Sequence, residues 1–401
     1  MGERCEKIRE SGFVLITALG LVVFLTLAGA ALLVRGVWQT DASERVYSRS
    51  NALYLAEAAV DQASRNLRTL TAVDDVLTAN LSTGSFQVDL SQPIDPLTYR
   101  VRTRGTSQNE QRQLEVVFRL TPKSVFEFAL FGDEGMNVSG SAITDSYDSS
   151  RGPYNDDPTS PSYNAGHNGD VGTNSDQSGG VDLGGSIFID GQVVVGYEAT
   201  DPYTVVTDYD PAFITGGTSP PTDTQDVVAQ ETYFPLPPVV VPLGLSCLDA
   251  TIGGNTTVTL TPTGGNNGGN VYCYHNLTLE GGSTLTASGS VTVYLTGQLV
   301  AKGNSLMGVS SDPKQMLVLM SSTGDATLEQ GTFTGSTGFY GVLYGPDSNI
   351  TITGNAEIFG SINAQSINVT GSAAIHYDET VKNMTQISNT YTTQRIAWRE
   401  L

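Results

Sequence analysis

From Phe13 to Val34 the chain runs for 22 residues without a charge, FVLITALGLVVFLTLAGAALLV, between the mixed-charge MGERCEKIRESG and Arg35. That length is enough to cross a bilayer as a helix. A secretory signal peptide has a shorter apolar segment flanked by a small-x-small site, whereas the small residues here lie inside the span. A retained helix is therefore favoured, and an ordinary single-pass anchor shares the same pattern. Downstream, VYSRSNALYLAEAAVDQASRNLRTL sets Tyr47, Leu53, Ala56, Val60, Ala63, Leu67 and Leu70 near helical spacing, so one face is expected to pack on a head. Joined to the apolar span, this is one helix of roughly 80 to 90 Å, weakened at Gly20, Gly29 and Gly36.

From about Ser85 the period changes to two, in SFQVDL, LTYRVRTRG and QRQLEVVFRL, with GTSQNEQ as the turn between the last two. A small antiparallel sheet is predicted to cover the helix face, ending near Lys123. Beyond it one theme recurs: an apolar residue, a short Gly/Ser/Asn turn, then another apolar residue. It appears as NVSGSAI, VDLGGSIFI, LTLEGGSTL, ITITGNAEI and INVTGSAAI, the last two matching Gly354 to Gly371 and Ile358 to Ile375 at an offset of 17. Such units cannot bury their apolar residues alone, and stacking them creates a continuous core. The predicted architecture is a right-handed parallel β-helix, or solenoid. Its inward residues are Leu277, Leu279, Leu285, Val291, Val293, Leu295, Leu317, Leu319, Val342, Ile350, Ile352, Ile358, Ile362, Ile367, Val369 and Ile375. A β-sandwich is the competing reading, disfavoured because tight two-residue hairpin signals are missing.

Residues 145–174 and 197–241 are rich in Pro, Asp, Gly, Ser and Thr and read as long loops, with TYFPLPPVVVP extended over the surface. The fold class is α+β. Its parts are a leader (1–12), a membrane and spindle helix (13–70), a small β head (71–123), a solenoid passenger (124–385), and a terminal strand, cap or tail (386–401).

Composition supports turn-dense β structure, with 44 Gly and only 15% charged residues. Net charge is −21, all of it distal: Met1 to Leu120 carries 13 Lys+Arg and 13 Asp+Glu, the remainder 7 and 28. Such a surface repels nucleic acid and anionic lipid, and suits solubility or cation binding. Of the three cysteines, Cys5 lies in the leader and only Cys247 and Cys273 are candidates to pair, as an exported region allows. Spacing does not decide whether they meet.

Chemistry is sparse. A β-helical lyase or hydrolase needs clustered carboxylates with a base or calcium, and the tight pairs Asp156-Asp157, Asp208/Asp210 and Asp378-Glu379 read as solvated turns. His167, His275 and His376 are far apart in sequence, so no zinc site is expected, and Cys273-Tyr274-His275 has no second pair. DSYDSS (145–150) and YNDD (154–157) supply hard oxygens for a structural calcium without the spacing of a known loop motif. No cofactor and no catalysis are expected.

The segment ESGFVLITALGLVVFL, continuing to SNALYLAEAAVDQASRNL, resembles the N-terminus of PilX-like minor pilins and pseudopilins over about the first 70 residues. The resemblance implies an inner-membrane, single-pass precursor with its C-terminal part outside the cytoplasm. A prepilin peptidase would cut between Gly12 and Phe13 and methylate Phe13, and the product would join other pilins in a pilus or pseudopilus. At the fifth mature position Thr17 stands where major pilins have a Glu that neutralises a neighbouring N-terminal ammonium. That departure fits a tip or low-copy position, although PilX-like sequences also tolerate hydroxyl residues there. TGNAEIFGSI and GSAAIHYDE resemble the β-helical passenger that follows PilX-like N-termini, roughly from Phe126 to Glu379. The expected role is filament assembly. The alternatives are an adhesin for cells, glycans, ice or other solid surfaces, to which TLT, TVT and TIT triplets point, and a carbohydrate-active enzyme.

Overall fold

The computed structural model describes residues 3–69, 76–95, 97–208, 210, 212, 214–216, 226–266, 268–321, 329–387 and 391–401, with side chains from residue 15 onward except at 91, 92 and 329–332. The chain forms two units, Met1–Thr121 with Tyr391–Leu401, and Pro122–Thr390.

In the first unit, α1 (Glu3–Thr69) is one helix of 67 residues that runs unbroken through Gly20, Gly29 and Gly36. At 1.5 Å per residue it is about 100 Å long. A methyl group at any of the three glycines would meet no other atom within 4 Å, so they mark no close packing within this chain. From Leu15 to Tyr47 nearly every side chain is exposed, Leu15 at 74% and Leu33 at 74% among them. A helix apolar on all sides with no protein around it has the character of a membrane span. The helix is long and apolar enough to cross a membrane, with a window of mean hydropathy 2.4.

The second half of α1 packs on an antiparallel sheet ordered β1 (Val76–Leu81), β2 (Gly84–Asp95), β3 (Thr98–Ser107), β4 (Glu110–Pro122) and the C-terminal strand Tyr391–Glu400. The buried helix face is Ala52, Leu55, Ala56, Ala59, Val60, Ala63 and Leu67. It is narrower and smaller-sided than the periodicity suggested. Tyr47 is exposed at 64%, Leu53 packs only from the margin, and Leu70 lies outside the described residues. The reason is close approach. At Gly105 of β3 a Cβ would sit 2.0 Å from the Ala52 carbonyl oxygen, and Thr103 Oγ1 donates to the Ala56 carbonyl at 3.0 Å. Helix backbone thus rests directly on strand backbone, which only alanines on one side and glycine on the other permit. β1 carried no alternating signal, and the C-terminal stretch joins the sheet as a fifth strand beside β4.

In the second unit 21 strands form one sheet whose pairings are parallel, apart from the short antiparallel pair at Ser146–Gly166 and Tyr147–Ala165. Three ladders run through it. The first joins Tyr272, Val293, Val318, Leu343, Ile362, Leu130, Val171, Val193 and Val227 in that order, every one buried. The second passes through Leu277, Leu299, Gly331, Ile350, Ile367, Met136, Val181 and Val206. The third passes through Leu285, Met307, Phe339, Ile358, Ile375, Thr144, Ile189 and Ile214. All sixteen residues expected to face inward are buried, but Leu317, Leu319 and Val342 alternate with the ladder residues Val318 and Leu343 and therefore lie on the opposite, covered face of their strands. Gly354 pairs with Gly371 and Ile358 with Ile375, so the sequence offset is the step from one level to the next.

The order of levels is not the order of the chain. Leu130 to Ala229 stack onto the level of Ile362, and the chain then returns to the opposite end at Leu248. The return covers nine steps of about 4.8 Å, roughly 43 Å, which the intervening extended chain spans at about 3.1 Å per residue. Its contacts descend in sequence. Phe234 packs against Phe128 and Phe131 and exchanges hydrogen bonds with Asn174, Pro237 accepts from the Tyr344 hydroxyl at 2.6 Å, and Cys247 is bonded to Cys273.

The recurring Gly turn links the second ladder to the third. Gly281, Gly303, Gly335, Gly354, Gly371, Gly140 and Gly185 all have positive φ, between 62° and 98°. They stack directly: a Cβ on Gly371 would lie 2.7 Å from the Gly354 carbonyl oxygen, and one on Gly140 2.4 Å from that of Gly371. Two residues on, the inward positions are Ser283, Ser305, Thr337, Ala356, Ala373, Ala142 and Ile187, mostly small and all buried. The theme therefore encodes a corner that turns the chain and lets the next corner sit on it.

Candidate functional site

Gly12 and Phe13 lie within the backbone of α1, near the start of the uncovered segment, and Thr17 is on its exposed part. Within the segment Thr26 donates to the Val23 carbonyl at 2.8 Å and Thr40 to that of Val37 at 2.8 Å. Hydroxyls turned onto their own helix are satisfied without water, which suits an apolar surrounding.

At the head the C-terminal strand is held by charge. Glu115, with its side chain only 9% exposed, accepts from Arg102 at 3.1 Å and from Arg399 at 2.8 Å. The Arg102 hydrogen bond, with Arg399 behind it, holds this carboxyl below the ordinary 4.5, against burial, which pushes it up. Arg112 pairs with Glu400 at 2.8 Å, Arg395 with Asp61, and Ser64 with Thr393 across the helix.

The parallel sheet carries a cleft of about 450 Å³ on the outer side of its third ladder. An outward row runs Tyr340, Phe359, His376 and Asp145 on successive levels. Tyr340 and Phe359 stack with centroids 4.3 Å apart, and Phe359 and His376 at 4.8 Å. The loop after Asp148 folds over this row and brings Tyr154 against His376 at 3.9 Å and against Phe359 at 5.9 Å, so the three rings form one cluster. Asp145 then bridges the two, accepting from His376 Nδ1 at 2.6 Å and from the Tyr154 hydroxyl at 2.5 Å. Burial, with Asp145 beside it, pushes the Tyr154 phenol above its ordinary 10.0. At the far wall His167 Nδ1 meets Asp190 at 2.7 Å, and Asp190 also accepts from Thr215.

His167 and His376, far apart in sequence, thus line one cleft with Asp145, Asp156, Asp190 and Glu357. Linear spacing hid this because stacked levels bring together residues more than 200 positions apart. The offset of 17, which sets Phe359 against His376, was the available signal. Of the loop carboxylates weighed for calcium, Asp148 and Asp157 cap their own turns at Ser150 and Thr159. Among the described residues no group of three or more His, Cys, Asp or Glu is arranged to hold a metal ion. His275 contacts Thr296 across two levels, and Cys273 is in the disulfide.

A family model described as Domain of unknown function (DUF7305) matches residues 243–384, within the parallel-sheet unit. No curated protein sequence matches the chain. Among solved structures, the competence-associated pilin ComZ from Thermus thermophilus is similar at 12% identity, over 88% of this chain and 97% of that one, with a TM-score of 0.25. The DUF3494 domain of Shewanella frigidimarina ice-binding protein 1 is similar at 14% identity, over 65% and 99%, with a TM-score of 0.23. Likeness at this level decides neither fold nor function.

Proposed function

We propose that the chain is a minor pilin or pseudopilin that enters a type IV filament and displays a right-handed parallel β-solenoid outside the cell. The observation that carries this reading is α1: one continuous helix, apolar and uncovered in its first half, packed backbone to backbone on a small sheet in its second. A membrane anchor alone needs no rigid extension into a head. A subunit that must leave the bilayer and pack helix against helix does. Processing between Gly12 and Phe13 precedes assembly, and Thr17 suits a subunit that offers no carboxylate to a neighbouring ammonium, at the tip or in low copy. The solenoid reading rests on three parallel ladders sharing one buried interior, and its hand on the strong right-handed preference of parallel crossovers. The role is structural rather than catalytic.

Mass spectrometry of the exported protein tests this directly. The expected mature N-terminus is a methylated Phe13, and deleting Gly12 leaves an unprocessed, membrane-retained chain. A normal mature mass in that variant overturns the reading.

A second reading, the parallel-sheet unit as a binding module for external surfaces or glycans, is favoured by the cleft between Tyr154 and His167. It is compatible with the first. Retention of the protein on cells or insoluble polysaccharide tests it.

A further inference from the structure

The polar groups that line the cleft are fixed on one side and open on the other. A carboxylate only accepts, so Nδ1 of His376 and of His167 must carry the proton shared with Asp145 and Asp190. Nε2 is then the edge of each ring left to a ligand, an acceptor while the ring is neutral. His376 packs against both Tyr154 and Phe359, which also touch each other, and its side chain is only 10% exposed, yet among the described residues Nε2 has no hydrogen-bond partner. The ring cannot turn away without breaking the Asp145 bond and both stacks, so that edge is held ready in the cleft wall. Asp156 and Glu357 line the same space, also with no side-chain partner among the described residues, and Tyr154 and Tyr163 supply aromatic surface.

The cleft therefore presents acceptors and ring faces and offers no lysine or arginine among its lining residues. Its ligand must be rich in donors, neutral or cationic, and must have flat apolar patches. Four carboxylates, Asp145, Asp156, Asp190 and Glu357, repel an anionic ligand even where it carries hydroxyl donors. A pyranose has this combination, with hydroxyl donors around its rim and C–H faces that lie on aromatic rings. The volume of about 450 Å³ is within the range of small-ligand pockets.

We propose that this cleft binds a neutral or amino-substituted saccharide, with His167 and His376 Nε2 and the carboxylates of Asp156 and Glu357 accepting from its hydroxyl or ammonium groups. The inference rests on the second reading above, of the parallel-sheet unit as an exposed binding module, and takes nothing from the filament reading.

The test is calorimetric titration of the full chain, held in a detergent without a sugar headgroup and in the presence of a chelator. The probes are chitotriose, its deacetylated glucosamine trimer, maltotriose and a galacturonate trimer. At least one neutral or amino trimer is expected to bind, and the galacturonate trimer is not. His167→Ala and Glu357→Gln, at a partly exposed and an exposed position, are each expected to weaken binding about tenfold, the loss of one hydrogen bond or of its charge assistance. Unchanged thermal unfolding shows that both variants remain folded. The absence of binding by every neutral and amino probe overturns the proposal, as does equal binding of the galacturonate trimer. Binding that survives both substitutions overturns the cleft as the site but leaves the binding-module reading standing, whereas loss of surface retention in the unmodified protein removes that reading itself.

Discussion

Placing a methyl group on the stacked glycine corner, by Gly371→Ala, separates two costs that usually travel together. Gly371 has φ +95°, a conformation that costs an L-residue about 1–2 kcal/mol, while the stiffer unfolded chain returns about 0.4–1 kcal/mol. Those contributions also apply at Gly254, with φ +63°, which occupies the same corner on the terminal level. The difference lies in the neighbour. A Cβ on Gly254 meets nothing within 4 Å, because among the described residues no level stacks beyond it, whereas one on Gly371 would lie 2.7 Å from the carbonyl oxygen and 2.9 Å from the nitrogen of Gly354. Backbone cannot rotate aside as a side chain can, so the two levels must separate locally, as in overpacking, at about 1–3 kcal/mol. Gly371→Ala is therefore expected to be less stable than Gly254→Ala by about 1–3 kcal/mol. Urea unfolding of the full chain, followed by far-UV circular dichroism, reads the difference. Tryptophan fluorescence does not serve, since Trp38 and Trp398 both belong to the helix and head unit. Equal midpoints for the two variants would refute the stacked-corner account of the repeat.

Replacing Cys247 and Cys273 together by Ser opens a loop of sequence separation 26 and is expected to cost about 3 kcal/mol, with proteolysis appearing first between residues 235 and 246. Unchanged cleavage kinetics there would show that the return segment does not depend on the bridge. At the head, Gly105→Ala sets a methyl 2.0 Å from the Ala52 carbonyl, and amide exchange over residues 48–69 is expected to accelerate at least tenfold while the parallel sheet is unaffected. The depressed pKa of Glu115 ties the C-terminal strand to pH. Since the folded value lies below the ordinary 4.5, the contribution is fully present above 4.5 and is lost as pH falls through the folded value. Protection factors of the amides in residues 391–400, taken relative to intrinsic exchange at each pH, should therefore fall on acidification, and Glu115→Gln should remove that part of the dependence.

The apolar span, its helical continuation, the period-two head strands and the apolar-turn-apolar repeat are local patterns, and they are legible in the sequence alone. A charge-free run, a spacing of three and four, and an offset of 17 each refer only to residues near one another in the chain. What the tertiary structure alone decided is everything set by which segments are neighbours. Periodicity says that a corner such as Gly140 stacks on another, but not that its neighbour is Gly371, more than 200 residues later. The chain order of levels is broken by the return from Ala229 to Leu248, and no local pattern records such a break. For the same reason the cleft was invisible in sequence. Asp145, His376 and Tyr154 belong to two adjacent levels far apart in sequence and to an irregular loop, and become one site only because parallel strands stack His376 against Asp145 and the loop closes over both. The C-terminal strand was ambiguous because its partners, Glu115 and Asp61, act across the fold. The helix face shifted from Tyr47 toward Ala52 because its limit is backbone contact at Gly105, which hydrophobicity does not measure.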